Sequence, residues 1–194
     1  GGEPLVYPII SDEPSKLLAA VKDAIAKADI IVLNAGSSKG TDDYTIRVLE
    51  EAGEVLVYEV EHGPGKHTSF TLASGKPILG IVGPPGGAEL TMEWYVHPLV
   101  NRYLGQPDLK PLKLKVKLLA DACCHVDFDF YLRVIVKRQK DCFVAMPVNG
   151  FRERINVSFT EANGILPLPG GKTFKAGEIV QVEMRYPLEW IKEE

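Results

Sequence analysis

The stretch Asn34-Ala35-Gly36-Ser37-Ser38-Lys39-Gly40-Thr41-Asp42-Asp43 holds the chain's densest set of groups able to bind an anion and a hard cation. Gly36 and Gly40 let the backbone come close to a ligand. Ser37, Ser38 and the free amides of a following helix suit a phosphate or oxyanion. Asp42 and Asp43 offer hard oxygens of the kind Mg2+ takes, with water and phosphate completing the shell. The same residues also suit a plain helix start capped by Thr41 or Asp42. A second set, His62-Gly63-Pro64-Gly65-Lys66-His67, puts a lysine on a glycine turn. That is a point charge for phosphate or, on the same residues, a solvated turn. Asp12 follows an apparent strand and either faces the same rim or caps the next helix. Cys123-Cys124-His125-Val126-Asp127 has no second cysteine pair at structural-zinc spacing, so it reads as packed or edge residues of a β domain. No serine stands in a nucleophile-elbow motif, which leaves a Ser–His–Asp hydrolase without support.

Ordinary secondary structure must place these groups. Ser11-Asp12-Glu13-Pro14 has the capping, acidic and proline residues of a helix start, and Leu17, Leu18, Val21, Ala24, Ile25 and Ala28 then recur at helical spacing. Ile30-Ile31-Val32-Leu33 has no polar alternation and predicts a strand covered on both faces, as in a parallel sheet between helix layers. A helix over 44–52, a strand over 54–60 and a hairpin across Ser74-Gly75 follow. The loop Gly83-Pro84-Pro85-Gly86-Gly87 then leads to an amphipathic stretch over 89–104, in which His97 reads as a packing residue. From Pro107 the period changes to two: Leu112, Leu114, Val116 and Leu118 alternate with Lys113, Lys115 and Lys117. Strands over 128–137, 142–148 and 179–185 complete a small all-β barrel or sandwich, with Pro167-Leu168-Pro169-Gly170-Gly171 read as turn. The expected organisation is an α/β domain over 1–106, with a mostly parallel sheet flanked by helices, and a β domain over 107–194.

Composition narrows the function. The 194 residues are 45% hydrophobic and 25% charged, ordinary globular material with net charge −4. Before Pro107 there are 8 basic and 14 acidic residues; from Pro107 on, 14 and 12. No long basic run points to nucleic acid, and no apolar run approaches the ~20 residues that span a bilayer. Three cysteines, two of them adjacent, make a disulfide framework unsuitable, so the compartment reads as reducing and cytoplasmic.

The segment from Ala28-Asp29-Ile30-Ile31-Val32-Leu33 through Gly40-Thr41-Asp42-Asp43-Tyr44-Thr45 resembles the molybdopterin molybdenumtransferases of molybdenum-cofactor synthesis, relatives of the carboxyl-terminal domain of gephyrin. The likeness continues through Leu49-Glu50-Glu51-Ala52-Gly53-Glu54, Pro64-Gly65-Lys66, Gly75-Lys76-Pro77 and His97-Pro98-Leu99, and resumes at Phe174-Lys175-Ala176-Gly177-Glu178-Ile179-Val180. It implies an enzyme that inserts molybdate into adenylated molybdopterin with Mg2+ present, this chain being the pterin-binding and carboxyl-terminal portion and inactive by itself. By motif, Asp43 and Asp12 become catalytic, with Asp43 as metal ligand. Gly36, Ser37, Ser38 and Gly40 become the pterin-phosphate loop, and Lys66 holds an anion. The resemblance further implies a homodimer through the full-length protein and a molybdopterin adenylyltransferase as partner. The chain departs from the family at three places: Gly63 stands for a first lysine, Val82-Gly83-Pro84-Pro85 for a Pro-Gly-Asn-Pro loop, and Ala35 for a first glycine. These changes suit a second reading, a non-catalytic pterin-binding or scaffolding module of the same fold.

Overall fold

In the computed structural model the apolar spacing after Pro14 becomes helix α1, Pro14–Lys27, with Pro14 in its first turn. Its amphipathic stripe buries Leu17, Val21 and Ala24. The structure describes residues 1–35, 42–107, 110–148 and 161–191. They form two compact units, Gly1–Val60 with Gly65–Asp108, and Glu61–Pro64 with Leu109–Glu194.

The first unit holds strands β1 (Ile31–Ala35), β2 (Glu54–Val57), β4 (Ser69–Ala73) and β5 (Lys76–Val82), and helix α2 (Asp42–Ala52). The sheet order is β1-β5-β4-β2. Helices α1 and α2 bury Val21, Val48 and Leu49 against Ile31, Ala73 and Ile78 on one face. On the other face Val96 and its neighbours cover Leu79 and Ile81. β5 is buried from Pro77 to Val82, as a strand between two helix layers must be. The sheet is mixed rather than mostly parallel: β1–β5 is parallel, while β5–β4 and β4–β2 are antiparallel. The cause is the two-residue turn Ser74-Gly75, at φ 51° and 76°. Two positive φ values make the tight primed turn that joins only antiparallel neighbours.

The amphipathic stretch over 89–104 falls in α3 (Pro85–Thr91), a π turn (Met92–Val96) and α4 (His97–Tyr103). Pro98 has no N–H to continue the α pattern, and one residue earlier the His97 N–H reaches back to Met92 O. His97 itself is exposed, not packed.

The second unit holds β3 (His62–Gly63), β6 (Leu112–Leu118), β7 (Ala122–Cys123), β8 (Asp129–Gln139), β9 (Cys142–Pro147), β10 (Gly164–Leu168), β11 (Thr173–Phe174) and β12 (Ile179–Met184). The order β10-β12-β6-β9-β8 closes on itself through β8–β10, making a five-strand barrel to which β3 adds on β8. Val116, Leu132, Val134, Leu166 and Val182 fill its interior. Pro167 is in a strand, where the sequence suggested a turn. The Arg185 N–H bonds Asn163 O and the β10–β12 ladder ends at Ile165↔Glu183, so alternation turns the Pro167 nitrogen toward β12, where no bond is needed. Toward β8 the ladder runs on to Leu168↔Phe130. Among the described residues no helix is long and apolar enough to cross a membrane.

Candidate functional site

The parallel pair sets the site's floor. Its register ends at Ala35↔Val82, so β1 and β5 deliver their carboxyl ends to one edge of the sheet. In open α/β sheets ligands bind beyond that edge. Asn34 of β1 and Tyr44 of α2 both border that edge, and the chain leaving β5 turns into α3 at Pro85.

A cleft of about 470 Å³ borders this edge, lined by Leu5 to Asp12, Leu17, Val32 to Asn34, Tyr44 and Thr45. Its polar groups are Tyr7, Ser11, Asp12, Asn34, Tyr44 and Thr45, the Tyr7 hydroxyl donating to Asp23 Oδ2 at 2.6 Å. The Tyr44 hydroxyl donates to Asp12 Oδ1 at 3.0 Å, joining positions 32 residues apart. Partial burial and the Asp12 carboxylate hold the Tyr44 phenol above its ordinary pKa. Asp12 does not cap α1. The cap position is Glu13, without a side-chain cap bond, and its N–H bonds Ser11 O at 2.7 Å. The carboxylate therefore stands on the cleft wall with one oxygen engaged by Tyr44. The tether places Asp12 at the first turn of α2, the turn that includes the Asp43 backbone.

Gly36, Ser37, Ser38 and Gly40 lie outside the described residues. Lys66 is exposed and is not among the residues lining the cleft. Its turn is nevertheless fixed to the neighbouring strand end. A Cβ on Gly87 would fall 2.5 Å from Val82 Cγ2 and 3.0 Å from the Gly65 nitrogen, an approach only glycine permits. The flanking histidines serve elsewhere: His67 Nδ1 pairs with Glu59 Oε1 at 2.6 Å, and the His62 ring meets Tyr131 edge-on at 5.4 Å. Burial lowers the His62 pKa. Cys124 is buried, its thiol 3.5 Å from Val126 O and 3.6 Å from Phe128 O, and no cluster of three potential metal-ligating side chains occurs among the described residues.

Two features escape the sequence. Tyr44 reads there as the first apolar residue of a helix, and nothing local shows that it reaches Asp12. Leu5 to Ile10 form the far wall of the cleft without belonging to any strand, with Val6 and Ile9 fully exposed at 89% and 101%.

Residues 1–102 match the model of a probable molybdopterin binding domain, and residues 116–184 that of the MoeA C-terminal region. A molybdopterin molybdenumtransferase of Bacillus subtilis is 30% identical over 184 residues, 94% of this chain and 43% of that protein. One from Staphylococcus epidermidis is 29% identical over 91% of this chain and 43% of its own length. The crystal structure of a molybdopterin biosynthesis MoeA protein from Pyrococcus horikosii matches with TM-score 0.72 and 28% identity, over 91% of this chain and 42% of that one. The chain thus spans less than half the length of these relatives. A molybdenum cofactor biosynthesis protein from Pyrococcus furiosus shares the fold, at TM-score 0.71 and 17% identity over 94% of this chain and 58% of that one. With a cleft at the carboxyl end of β1 and a model match over more than half its length, the chain belongs to the family of molybdopterin binding domains, followed by a MoeA-type carboxyl-terminal region.

Proposed function

We propose that the first unit binds adenylated molybdopterin at the carboxyl ends of β1 and β5, and that the chain is part of an enzyme inserting molybdate into that substrate. The observation that carries this reading is the tether from Tyr44 to Asp12, which brings an uncapping carboxylate to the first turn of α2. Asp12 and Asp43 would hold Mg2+. The fit is one of donor chemistry: Mg2+ is satisfied by one or two carboxylates plus water and substrate phosphate, and does not need the three-ligand protein cluster that the described residues lack. Bound there, the ion would neutralise phosphate charge. Gly36, Ser37, Ser38 and Gly40 would lend backbone and hydroxyl donors to the pterin phosphate. Lys66 would supply the positive charge that receives molybdate. In the full-length protein a homodimer completes the assembly, and a molybdopterin adenylyltransferase supplies the adenylated substrate. The cell compartment for this chemistry is the cytoplasm.

The test is calorimetric titration of molybdopterin and of Mg2+ with AMP into the chain, wild type and Asp12→Asn. Mg2+-dependent nucleotide binding should fall roughly tenfold or more in the variant, the loss of one charge-assisted contact of about 1.5–3 kcal/mol. Unchanged binding would remove Asp12 from the site. In the full-length parent, Asp43→Ala should abolish molybdate transfer with the fold retained.

A further inference from the structure

The turn that carries Lys66 is held by something other than its own loop. Gly65 sits at φ +103°, and a Cβ there would meet Thr91 Oγ1 at 3.2 Å and Gly87 O at 3.4 Å. Next to this contact lie two buried hydroxyls, Thr68 at 3% and Thr91 at 0% exposure. Thr91 Oγ1 is 2.8 Å from Gly87 O, and Thr68 Oγ1 is 2.9 Å from Thr91 Oγ1. A carbonyl can only accept, so the single Thr91 proton goes to Gly87. Thr68 must then donate to Thr91. The result is a directed chain, Thr68 to Thr91 to Gly87, running from the end of the lysine turn to the start of α3. Two backbone bonds finish the clamp: Thr68 N–H to Gly65 O and Val60 N–H to Lys66 O, each 2.9 Å.

Packing alone does not explain the hydroxyls. Valine has nearly the same shape as threonine and would bury no polar atom, whereas a buried hydroxyl costs free energy unless it is bonded. What the hydroxyls add is direction: they fix where the turn stands relative to Gly87, and Gly87 abuts Val82 at the carboxyl end of β5.

We infer that Thr68 and Thr91 are positioning residues for Lys66, their hydroxyl chain holding the Gly65-Lys66 turn so that the ammonium meets an oxyanion at the carboxyl end of β5. This rests on the reading of Lys66 as the anion-holding residue. Neither threonine touches the ligand; each acts through the turn.

The experiment is calorimetric titration of molybdate into the 194-residue chain, with thermal melting alongside. Lys66→Ala should weaken binding about tenfold or more. Thr91→Val should weaken it roughly 3- to 10-fold and Thr91→Ser should restore it. In the Lys66→Ala background Thr91→Val should have no further effect, because its influence passes through the lysine. Thr68→Val, which keeps the Thr91–Gly87 bond, gives the same test with the same sign if Thr91→Val does not fold. Full loss with Lys66→Ala but none with either valine variant overturns the inference alone. So does equal weakening by the valine variants with and without Lys66. Unmeasurable binding by the wild type, or unchanged binding by Lys66→Ala, overturns the reading of Lys66 and this inference with it.

Discussion

Replacing Gly87 by alanine asks how much the close approach of the two loops is worth. The new Cβ would stand 2.5 Å from Val82 Cγ2, 3.0 Å from the Gly65 nitrogen and 3.1 Å from Gly65 Cα. Two of these neighbours are backbone, and Val82 is a buried β-branched side chain with little rotamer freedom. None of them can swing aside. Two terms of opposite sign then compete. Removing glycine from a helix gains roughly 0.5–1 kcal/mol. Overfilling a packed site costs about 1–3 kcal/mol, and contacts with immovable atoms belong in the upper part of that range. The net loss is roughly 1–2 kcal/mol. For a unit of about 100 residues each kcal/mol moves Tm by about 4–8 °C, so the first unit should melt roughly 4–16 °C lower. Helices α1, α2, α3 and α4 all belong to that unit, so the helical circular-dichroism band mainly follows it. Gly75→Ala is the control. It lies at φ +76° with nothing within 4 Å of an added Cβ, so only left-handed strain of about 1–2 kcal/mol is introduced, remote from the Gly65–Gly87 contact. A Tm for Gly87→Ala at or above the wild-type value would refute the argument, and would mean that the loops part without cost.

In the barrel, Asn163 Oδ1 accepts from Val136 N–H at 2.7 Å and Asn163 Nδ2 donates to Val136 O at 2.9 Å, so Asn163→Ala should cost about 1–3 kcal/mol, seen as a lower urea midpoint at constant slope. Burial lowers the His62 pKa in the folded state, while the unfolded chain takes its proton near pH 6.5; the stability present above about pH 6.5 is therefore lost progressively as pH falls toward the lowered folded value. Urea midpoints at about pH 7.5 and pH 5.5 should therefore differ more in the wild type than in His62→Gln, and an equal difference would reject the assignment. The free side of β1 carries no ladder among the described residues and Val32 is 39% exposed, an edge that recruits other chains; sedimentation velocity should show concentration-dependent association that Val32→Lys reduces.

What the sequence made legible follows from the range of each interaction. The helix at Pro14, the strand at Ile31 and the Ser74-Gly75 hairpin are written in residues that are neighbours or one turn apart, and all three are present. The mixed sheet is legible only in part: the hairpin announces the antiparallel β4–β5 pair, but the apolar run at Ile30 to Leu33 suggests cover on both faces, whereas β1 lies at the sheet edge with Val32 39% exposed. β5 is covered on both faces whether its neighbour runs parallel or antiparallel, and the direction is set by the turn before it. Pro167 misled for a related reason: a missing N–H forbids a strand only when both sides must be paired, and one side of β10 has no ladder at that point.

The same distinction governs the site. Residue types suggest the anion- and cation-binding edge of the proposed function, because glycines, hydroxyls and carboxylates after an apolar strand are a local pattern. The groups that aim these residues are not local. Tyr44 reaches Asp12 across 32 positions and Thr68 reaches Thr91 across 23, and each is an ordinary residue of its own element until the fold brings its partner near. Polar positioning of this kind leaves no period in the sequence. It becomes visible as a hydroxyl that is buried, bonded in one direction only, and set where an apolar side chain of equal size would have packed as well. By that criterion Thr91 is the stronger case, being wholly buried at the end of α3 with its proton committed to Gly87. Tyr44 is the weaker, since its bond to Asp12 lies at the cleft surface where water competes for both groups. The lysine turn should therefore be the more rigid half of the site, and the carboxylate wall the half that adjusts when a ligand enters.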